Sequence, residues 1–150
     1  MKVAIGADHA GFALKESVGQ YLKSKGFTVL DMGTDSTEST DYPQYAFKVA
    51  EAVRDGRADR GVLVCDSGNG IAIAANKVEG IRAAIAINPQ HAELSRRHND
   101  ANVLVLGSML TPQSEEHALL DAWFSAPFDG GRHERRVGQI TDYERTHCKG

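Results

Sequence analysis

Short apolar runs alternate with segments of helical periodicity along nearly the whole chain. The apolar runs predict five strands, over Lys2–Gly6, Phe27–Met32, Gly61–Cys65, Ile81–Ile87 and Ala101–Leu106. Apolar positions three and four residues apart predict helices between them, over Ala10–Lys25, Tyr45–Asp55, Gly68–Lys77, Pro89–Arg97 and Thr111–Phe124. A last helix over Arg132–Thr146 is charged and carries few apolar residues.

This alternation predicts an α/β fold. We expect a doubly wound, five-stranded, mostly parallel sheet with helices on both faces, of the Rossmann or flavodoxin-like type. The 150 residues suit one domain, residues 1–150. The Gly-rich segment Ser125–Gly131 precedes the last helix. We therefore expect that helix, about residues 132–146, to pack apart from the core at a subunit interface.

The third predicted strand ends in Cys65, and the small-residue turn Ser67-Gly68-Asn69-Gly70 follows it. In parallel sheets ligands bind at this carboxyl edge. Helix starts favour anions and lower the pKa of a thiol. The turn has neither the P-loop spacing nor the dinucleotide fingerprint. It indicates a compact oxyanion or phosphate cradle with a nucleophile or base beside it. The alternative is a buried structural cysteine next to a tight turn.

Two polar pairs follow other predicted elements. Asp8 and His9 come after the first strand, and their side chains suit binding of sugar hydroxyls or a phosphate. The alternative is that Asp8 is a helix N-cap and His9 a surface residue. His98 and Asn99 come between a short helix and a strand. His98 suits proton transfer near neutral pH, or it complements the end of the helix dipole.

Arg132 and Arg136 begin the last helix and are four residues apart. That spacing places them on one helical face, where two guanidinium groups suit a phosphate. The alternative is a solvated charged face.

Composition narrows the function classes. The chain is 41% hydrophobic and 25% charged with a net charge of -3, which is typical of a soluble globular protein and disfavours nucleic-acid binding. Its longest apolar stretches are too short to span a bilayer, so we expect no membrane partner. Met1-Lys2 leads directly into the first predicted strand, so we expect no signal peptide. The two cysteines are Cys65, at the edge of the predicted core, and Cys148, in the tail, so we expect no disulfide framework and therefore a cytoplasmic protein. Cys148, near the C-terminus, is interpreted as a bystander.

Several segments together carry a resemblance to a known family. They are Lys2–Phe12, Thr40–Pro43, Ile73–Lys77, Gly80–Ala83, Ser95–Leu104, and Gly130–His133 with Arg136. Jointly they resemble the ribose-5-phosphate isomerase type B family, with its galactose-6-phosphate isomerase relatives. The resemblance covers nearly the whole chain, and it implies a flavodoxin-like subunit that acts on a phosphorylated sugar.

The resemblance also implies a role for each candidate residue. Cys65 is the general base between C2 and C1, and Ser67 with Gly68, Asn69 and Gly70 stabilises the enediolate oxygen. His98 helps to open the furanose ring. Sugar oxygens are handled by Asp8 and Asn99, and phosphate is bound by His9, Arg132 and Arg136. The family uses no metal or organic cofactor, and it forms homodimers or homotetramers whose sites cross a subunit interface.

Three positions depart from the family pattern. The loop commonly reads Cys-Gly-Thr-Gly, whereas Asp66 follows Cys65 here, and a negative charge there raises the thiol pKa if it points inward. The Ser-Gly-Asn-Gly form resembles a subgroup whose base is a glutamate just beyond the loop, but Ile71 holds that place. Met109 stands where many members carry a phosphate-site arginine.

The leading hypothesis is a cofactor-free isomerase that interconverts D-ribose 5-phosphate and D-ribulose 5-phosphate. Met109 motivates a first alternative, an isomerase of another aldose phosphate such as a hexose 6-phosphate or a tetrose phosphate. Asp66 motivates a second alternative, a non-catalytic module that binds sugar phosphates, because a neutral thiol is inactive as a base.

Overall fold

The computed structural model describes residues 1–147, so Cys148 lies outside the described residues. The strands are β1 (Lys2–Ala7), β2 (Thr28–Asp31), β3 (Arg60–Cys65), β4 (Ala83–Ile85) and β5 (Val103–Gly107). The helices are α1 (Phe12–Ser24), α2 (Tyr42–Arg54), α3 (Asn69–Ala75), α4 (Pro89–Asn99), α5 (Glu116–Ser125) and α6 (Arg132–His147). In this part of the chain no helix is long and apolar enough to cross a membrane.

The five strands form one sheet in the order β2-β1-β3-β5-β4, and every neighbouring pair is parallel. Connections that run towards β4 place α2 and α3 on one face, and those that run back place α1 and α4 on the other, where α5 joins them. Crossovers of a single hand produce this division. The predicted doubly wound sheet is therefore confirmed.

The central strand β3 is buried on both faces. Leu63 and Cys65 pack towards α2 and α3, whereas Val62 and Val64 pack towards α1, α4 and α5. A strand covered on both sides is a continuous apolar run rather than an alternating one. That is why the sequence before Cys65 is uniformly apolar. Cys65 is the last residue of this buried strand, which holds it firmly at the carboxyl edge of the sheet.

Most helix boundaries differ from the prediction by one or more residues, and three of the differences have a clear local cause or bear on the candidate residues. α2 begins at Tyr42, because Pro43 fits the first turn of a helix. α5 begins only at Glu116, after Pro112 in extended conformation and one 3₁₀ turn over Gln113–Glu115. α4 runs to Asn99, so the predicted loop pair His98 and Asn99 lies in its last turn.

β1 and β3 are neighbours whose connections leave towards opposite faces of the sheet. The loop after β1 leads to α1, and the loop after β3 leads to α3 on the other face. This reversal opens a crevice beyond the carboxyl ends of the two strands, where ligands bind in open α/β sheets. Ala7 pairs with Val64, so the residues that follow them, Asp8 and Cys65, meet at this crevice.

Candidate active site

Cys65 ends β3 with 3% of its surface exposed, and its sulfur is wrapped by the turn that follows. The Gly68 N–H donates to Sγ at 3.2 Å, and the nearby backbone N–H of Ile71 also lowers the pKa of the thiol. Gly68 has φ 84°, and a Cβ there would lie 3.2 Å from Cγ1 of Val105. Glycine is thus required for both the backbone conformation and the close approach.

Two opposing influences act on the thiol. Burial raises the pKa of Cys65, and the N–H donors of Ile71 and Gly68 lower it by a smaller amount. The carboxylates of Asp8 and then Asp66 raise it further, so the net pKa lies above its ordinary value. The lowered pKa expected from the helix start is therefore not found in the protomer. At neutral pH the thiol form of Cys65 predominates.

The loop after Cys65 satisfies some of its own amides. The Ser67 N–H donates to the Asp66 carboxylate at 2.6 Å, and the Asn69 N–H donates to the Ser67 hydroxyl oxygen at 3.2 Å. The Ser67 hydroxyl, one of the expected oxyanion donors, only accepts in this bond, so its proton can still be donated to a substrate oxygen. The N–H of Gly70 belongs to the first turn of α3, where no intrahelical acceptor exists. These two groups are available as donors to a substrate oxygen.

The residues at the carboxyl end of β5 and just after it pack against the loop that follows Cys65. A Cβ at Gly107 would lie 2.7 Å from the carbonyl of Ser67, so the two backbones touch. The Met109 N–H donates to the carbonyl of Asp66 at 2.9 Å. Met109 itself is 78% exposed, at the rim of the crevice. A side chain at this position therefore projects from a segment held firmly beside the cysteine loop.

Asp8 is only 7% exposed, and its carboxylate accepts the Gly11 N–H at 3.1 Å. The residue caps the turn before α1 rather than the helix, whose N-cap is Gly11. His9 is half-buried, and its Nδ1 lies 3.1 Å from the Thr40 nitrogen and 3.2 Å from the Thr40 carbonyl oxygen. The Thr40 backbone thus fixes the ring, and Nε2 is the nitrogen left to meet a ligand. Neither residue is a plain surface residue.

Tyr42, which the sequence marks only as part of the Thr40–Pro43 segment, lies against the loop that follows Cys65. A Cβ at Gly70 would lie 2.5 Å from Cζ of Tyr42 and 2.7 Å from its hydroxyl, so the phenol rests on the start of α3. Tyr42 is 38% exposed. An aromatic side chain in a polar loop was the available signal, but periodicity could not place it.

The remaining predicted residues lie at the other edge of the sheet. α4 runs antiparallel to the strands and ends with His98 and Asn99 beside the start of β5 at Val103. Cys65 pairs with Gly107, at the opposite end of β5. A strand of that length spans about 13 Å. One protomer therefore does not bring His98 and Asn99 to Cys65.

The first turn of α6 lies against the end of α4. The rings of His98 and His133 stack with centroids 4.1 Å apart and planes 7° apart. Asp129 is close to both rings and pairs with Arg97 at 3.0 Å. Parallel rings direct their lone pairs side by side rather than towards one ion, and Asp129 is already neutralised. This arrangement does not suit a metal ion.

Arg132 and Arg136 are both exposed, one turn apart on α6, at the same end as the histidine stack. The candidate residues thus form two groups within one chain. The carboxyl-edge group is Asp8, His9, Cys65, Ser67, Gly68, Asn69 and Gly70. The amino-edge group is His98, Asn99, Arg132 and Arg136.

A model of the Ribose/Galactose Isomerase family matches residues 3–140. Ribose-5-phosphate isomerase B of Escherichia coli (strain K12) is 49% identical over 143 residues, 95% of this chain and 96% of the relative. A structure of Clostridium thermocellum ribose-5-phosphate isomerase B superposes with a TM-score of 0.96 at 48% identity, over 98% of this chain and 99% of that one. The Mycoplasma genitalium ribose-5-phosphate isomerase B with bound ribulose-5-phosphate has a TM-score of 0.92 at 40% identity, over 97% of each chain.

Proposed function

The chain belongs to the ribose/galactose isomerase family, and we infer that it is an aldose–ketose isomerase that interconverts D-ribose 5-phosphate and D-ribulose 5-phosphate. One observation is the main support for this activity. Cys65 lies at the crevice beyond the carboxyl ends of β1 and β3, with hydrogen-bond donors of Ser67 and Gly70 beside it. Enolisation needs these two components, a base and groups that stabilise oxyanion charge.

The proposed reaction moves one proton between two carbons. The Cys65 thiolate takes the proton from C2 of the open-chain aldose, and the charge that develops on O1 is stabilised by Ser67 and Gly70. Returning the proton to C1, while the proton of the C2 hydroxyl moves to O1, gives the ketose. We assign sugar oxygens to Asp8 and Asn99, and opening of the furanose ring to His98.

Phosphate supplies binding energy away from the reacting carbons, which orients them for proton transfer. We assign this role to His9, whose Nε2 is not engaged by the Thr40 backbone, and to Arg132 and Arg136. No step in this scheme requires a metal ion or an organic cofactor, and the proposal is a cofactor-free enzyme.

We propose that each site is built by two copies of the chain. The two groups of site residues lie at opposite edges of one protomer, so a second copy must bring His98, Asn99, Arg132 and Arg136 to Cys65. α6 supports this arrangement, because none of its residues is buried in the protomer while Ile140 and Tyr143 are 56% and 61% exposed. Residues 1–150 then form one isomerase domain of a homodimer or homotetramer, in the cytoplasm.

The experiment that tests the activity is conversion of D-ribose 5-phosphate to ribulose 5-phosphate with EDTA present. Wild type, Cys65→Ala and Cys148→Ala are compared, so that each cysteine is removed once. Turnover by wild type and Cys148→Ala but not by Cys65→Ala supports the assignment. Turnover that EDTA abolishes contradicts the cofactor-free scheme.

The shared site is tested by mixing two inactive variants, Cys65→Ala and His98→Asn, after mild unfolding and refolding. In a mixed dimer one site carries both changes and the other carries neither. About half of the dimers are mixed, so about one quarter of wild-type activity returns if the site crosses the interface. No recovery means that one chain supplies both residues.

Met109 favours a second candidate, an isomerase of another aldose phosphate. An exposed apolar side chain at the crevice rim offers no charge to a phosphate, which suits a substrate of different length. Comparison of kcat/KM for tetrose, pentose and hexose phosphates decides between the candidates. Binding of these sugars without any turnover would instead indicate a non-catalytic module.

A further inference from the structure

The position of His98 in the fold does not by itself fix the orientation of its imidazole ring. It lies in the last turn of α4, which ends at Asp100 in left-handed conformation with φ 48°. The side chain is half-buried, and a half-exposed imidazole at a helix end retains rotamer freedom. A group that transfers a proton must have its nitrogen within hydrogen-bond reach of the reacting oxygen. Another residue must therefore orient this ring.

His133 is placed to do so. Its ring lies on that of His98 with a centroid distance of 4.1 Å and an interplanar angle of 7°. The chain reaches this position through Gly130 and Gly131, whose φ values are 71° and 58°. Left-handed conformation at two successive residues suits glycine and turns the backbone sharply into α6.

The loop before His133 is tied to α4 itself. The Asp129 N–H donates to the carbonyl of Arg97 at 3.0 Å, and the Arg97 guanidinium donates to the Asp129 carboxylate at 3.0 Å. The His133 N–H donates to the carbonyl of Gly130 at 3.1 Å. The stacked ring therefore has a fixed position relative to the helix that carries His98.

Charge favours a neutral partner ring. Burial lowers the pKa of His133, and the neighbouring His98, Arg132 and Arg136 lower it further, against a smaller opposite effect of Asp129. A neutral imidazole can remain stacked while its neighbour gains or loses a proton, whereas two imidazolium rings would repel. His133 thus fits a supporting role better than a titrating one.

We propose that His133 is a positioning residue, whose stacked ring holds His98 in the orientation that moves protons during opening of the furanose. In that step the proton of the C1 hydroxyl leaves, the ring oxygen O4 gains a proton, and the C1–O4 bond breaks to give the aldehyde. This inference rests on the proposed function and adds a residue to it. In this proposal the aromatic face of His133 orients the ring of His98, and the nitrogens of His133 take no part in proton transfer.

Two reactions separate ring opening from enolisation. Ribose 5-phosphate is cyclic and must be opened, whereas ribulose 5-phosphate cannot form a furanose because its O5 carries the phosphate. Exchange of the C1 proton of ribulose 5-phosphate with D2O, followed by NMR, therefore reports enolisation alone. A variant that loses only positioning of His98 loses the first reaction and keeps the second.

The variants are His133→Ala, which removes the stack, and His133→Phe, which retains an aromatic face. Glu134→Ala, at the next and exposed position of α6, is the matched control. We expect His133→Ala to lower kcat with ribose 5-phosphate by about tenfold or more while exchange stays near wild type. We expect His133→Phe to restore most of kcat, and Glu134→Ala to change neither reaction.

Three outcomes would overturn the proposal. Equal loss of both reactions in His133→Ala indicates a general structural role. A raised KM in both His133→Ala and His133→Phe indicates a phosphate ligand that uses its nitrogens. Wild-type rates in both variants mean that the stack is not needed. Absence of turnover and exchange in wild type would instead refute the proposed function itself.

Discussion

Gly70→Ala tests whether the phenol of Tyr42 belongs to the active site. The new Cβ would lie 2.5 Å from Cζ of Tyr42. Carbon atoms pack at about 3.5 Å or more, so the ring must move by about 1 Å. Tyr42 is 38% exposed, and its side chain has room to do so. A displacement of that size within an active site lowers the rate by about 100-fold.

Stability should respond differently from activity. Replacing glycine by alanine in a helix stabilises it by about 1 kcal/mol, and partial loss of Tyr42 packing costs about the same. We therefore expect Tm to remain within about 2 °C of wild type. Gly138→Ala is the control for helix propensity, because this glycine also lies in a helix, and within the protomer a Cβ there meets nothing within 4 Å. That variant should raise Tm by about 3 °C and keep full activity.

The assay is kcat/KM with ribose 5-phosphate, combined with thermal unfolding, for Gly70→Ala, Tyr42→Ala and the double variant. If the alanine acts by displacing the phenol, adding Gly70→Ala to Tyr42→Ala causes no further loss. Full activity in the single Gly70→Ala variant would refute the reasoning. So would strictly additive losses in the double variant.

Three further predictions follow from the site and its supports. Burial raises the pKa of Cys65, and only the thiolate accepts a proton. We therefore expect kcat to rise with pH through the neutral range, by up to about tenfold per pH unit, and a flat pH profile would contradict this. Arg132→Ala and Arg136→Ala should each raise KM by about tenfold or more, since a charged hydrogen bond to phosphate is lost, and unchanged KM values would remove both from the site. A Cβ at Gly11 would lie 2.4 Å from the carbonyl oxygen of Val64, so Gly11→Ala should cost about 3 kcal/mol and lower Tm by roughly 10 °C.

Periodicity was sufficient for the order and type of the elements. Strands buried on both faces are continuous apolar runs, and the intervening helices show their apolar stripe, so the doubly wound sheet followed directly. Boundaries were less accurate where proline acts locally. Pro43 started α2 earlier than predicted, and Pro112 delayed α5. Both effects depend on backbone angles that hydrophobic patterning does not report.

The sequence named the members of the candidate site one by one, but it could not arrange them in space. Cys65 and its turn stand together in the sequence, and β1 brings Asp8 beside them through simple sheet pairing. The position of Tyr42 depends on a loop fold, and the net pKa of the thiol depends on burial outweighing nearby amides. Neither can be calculated from residue spacing, because each is a balance settled in three dimensions.

The separation of the two groups of site residues bears on how the base becomes active. In one protomer burial and two carboxylates keep the pKa of Cys65 high. A second copy that brings Arg132 and Arg136 to the crevice adds positive charge, which favours the thiolate. Assembly and activation of the base are then the same event. In a Cys148→Ala background, which leaves a single thiol, the pH dependence of iodoacetamide alkylation reports the pKa of Cys65. Replacing both arginines with alanine should shift that curve to higher pH, and an unchanged curve would separate assembly from activation.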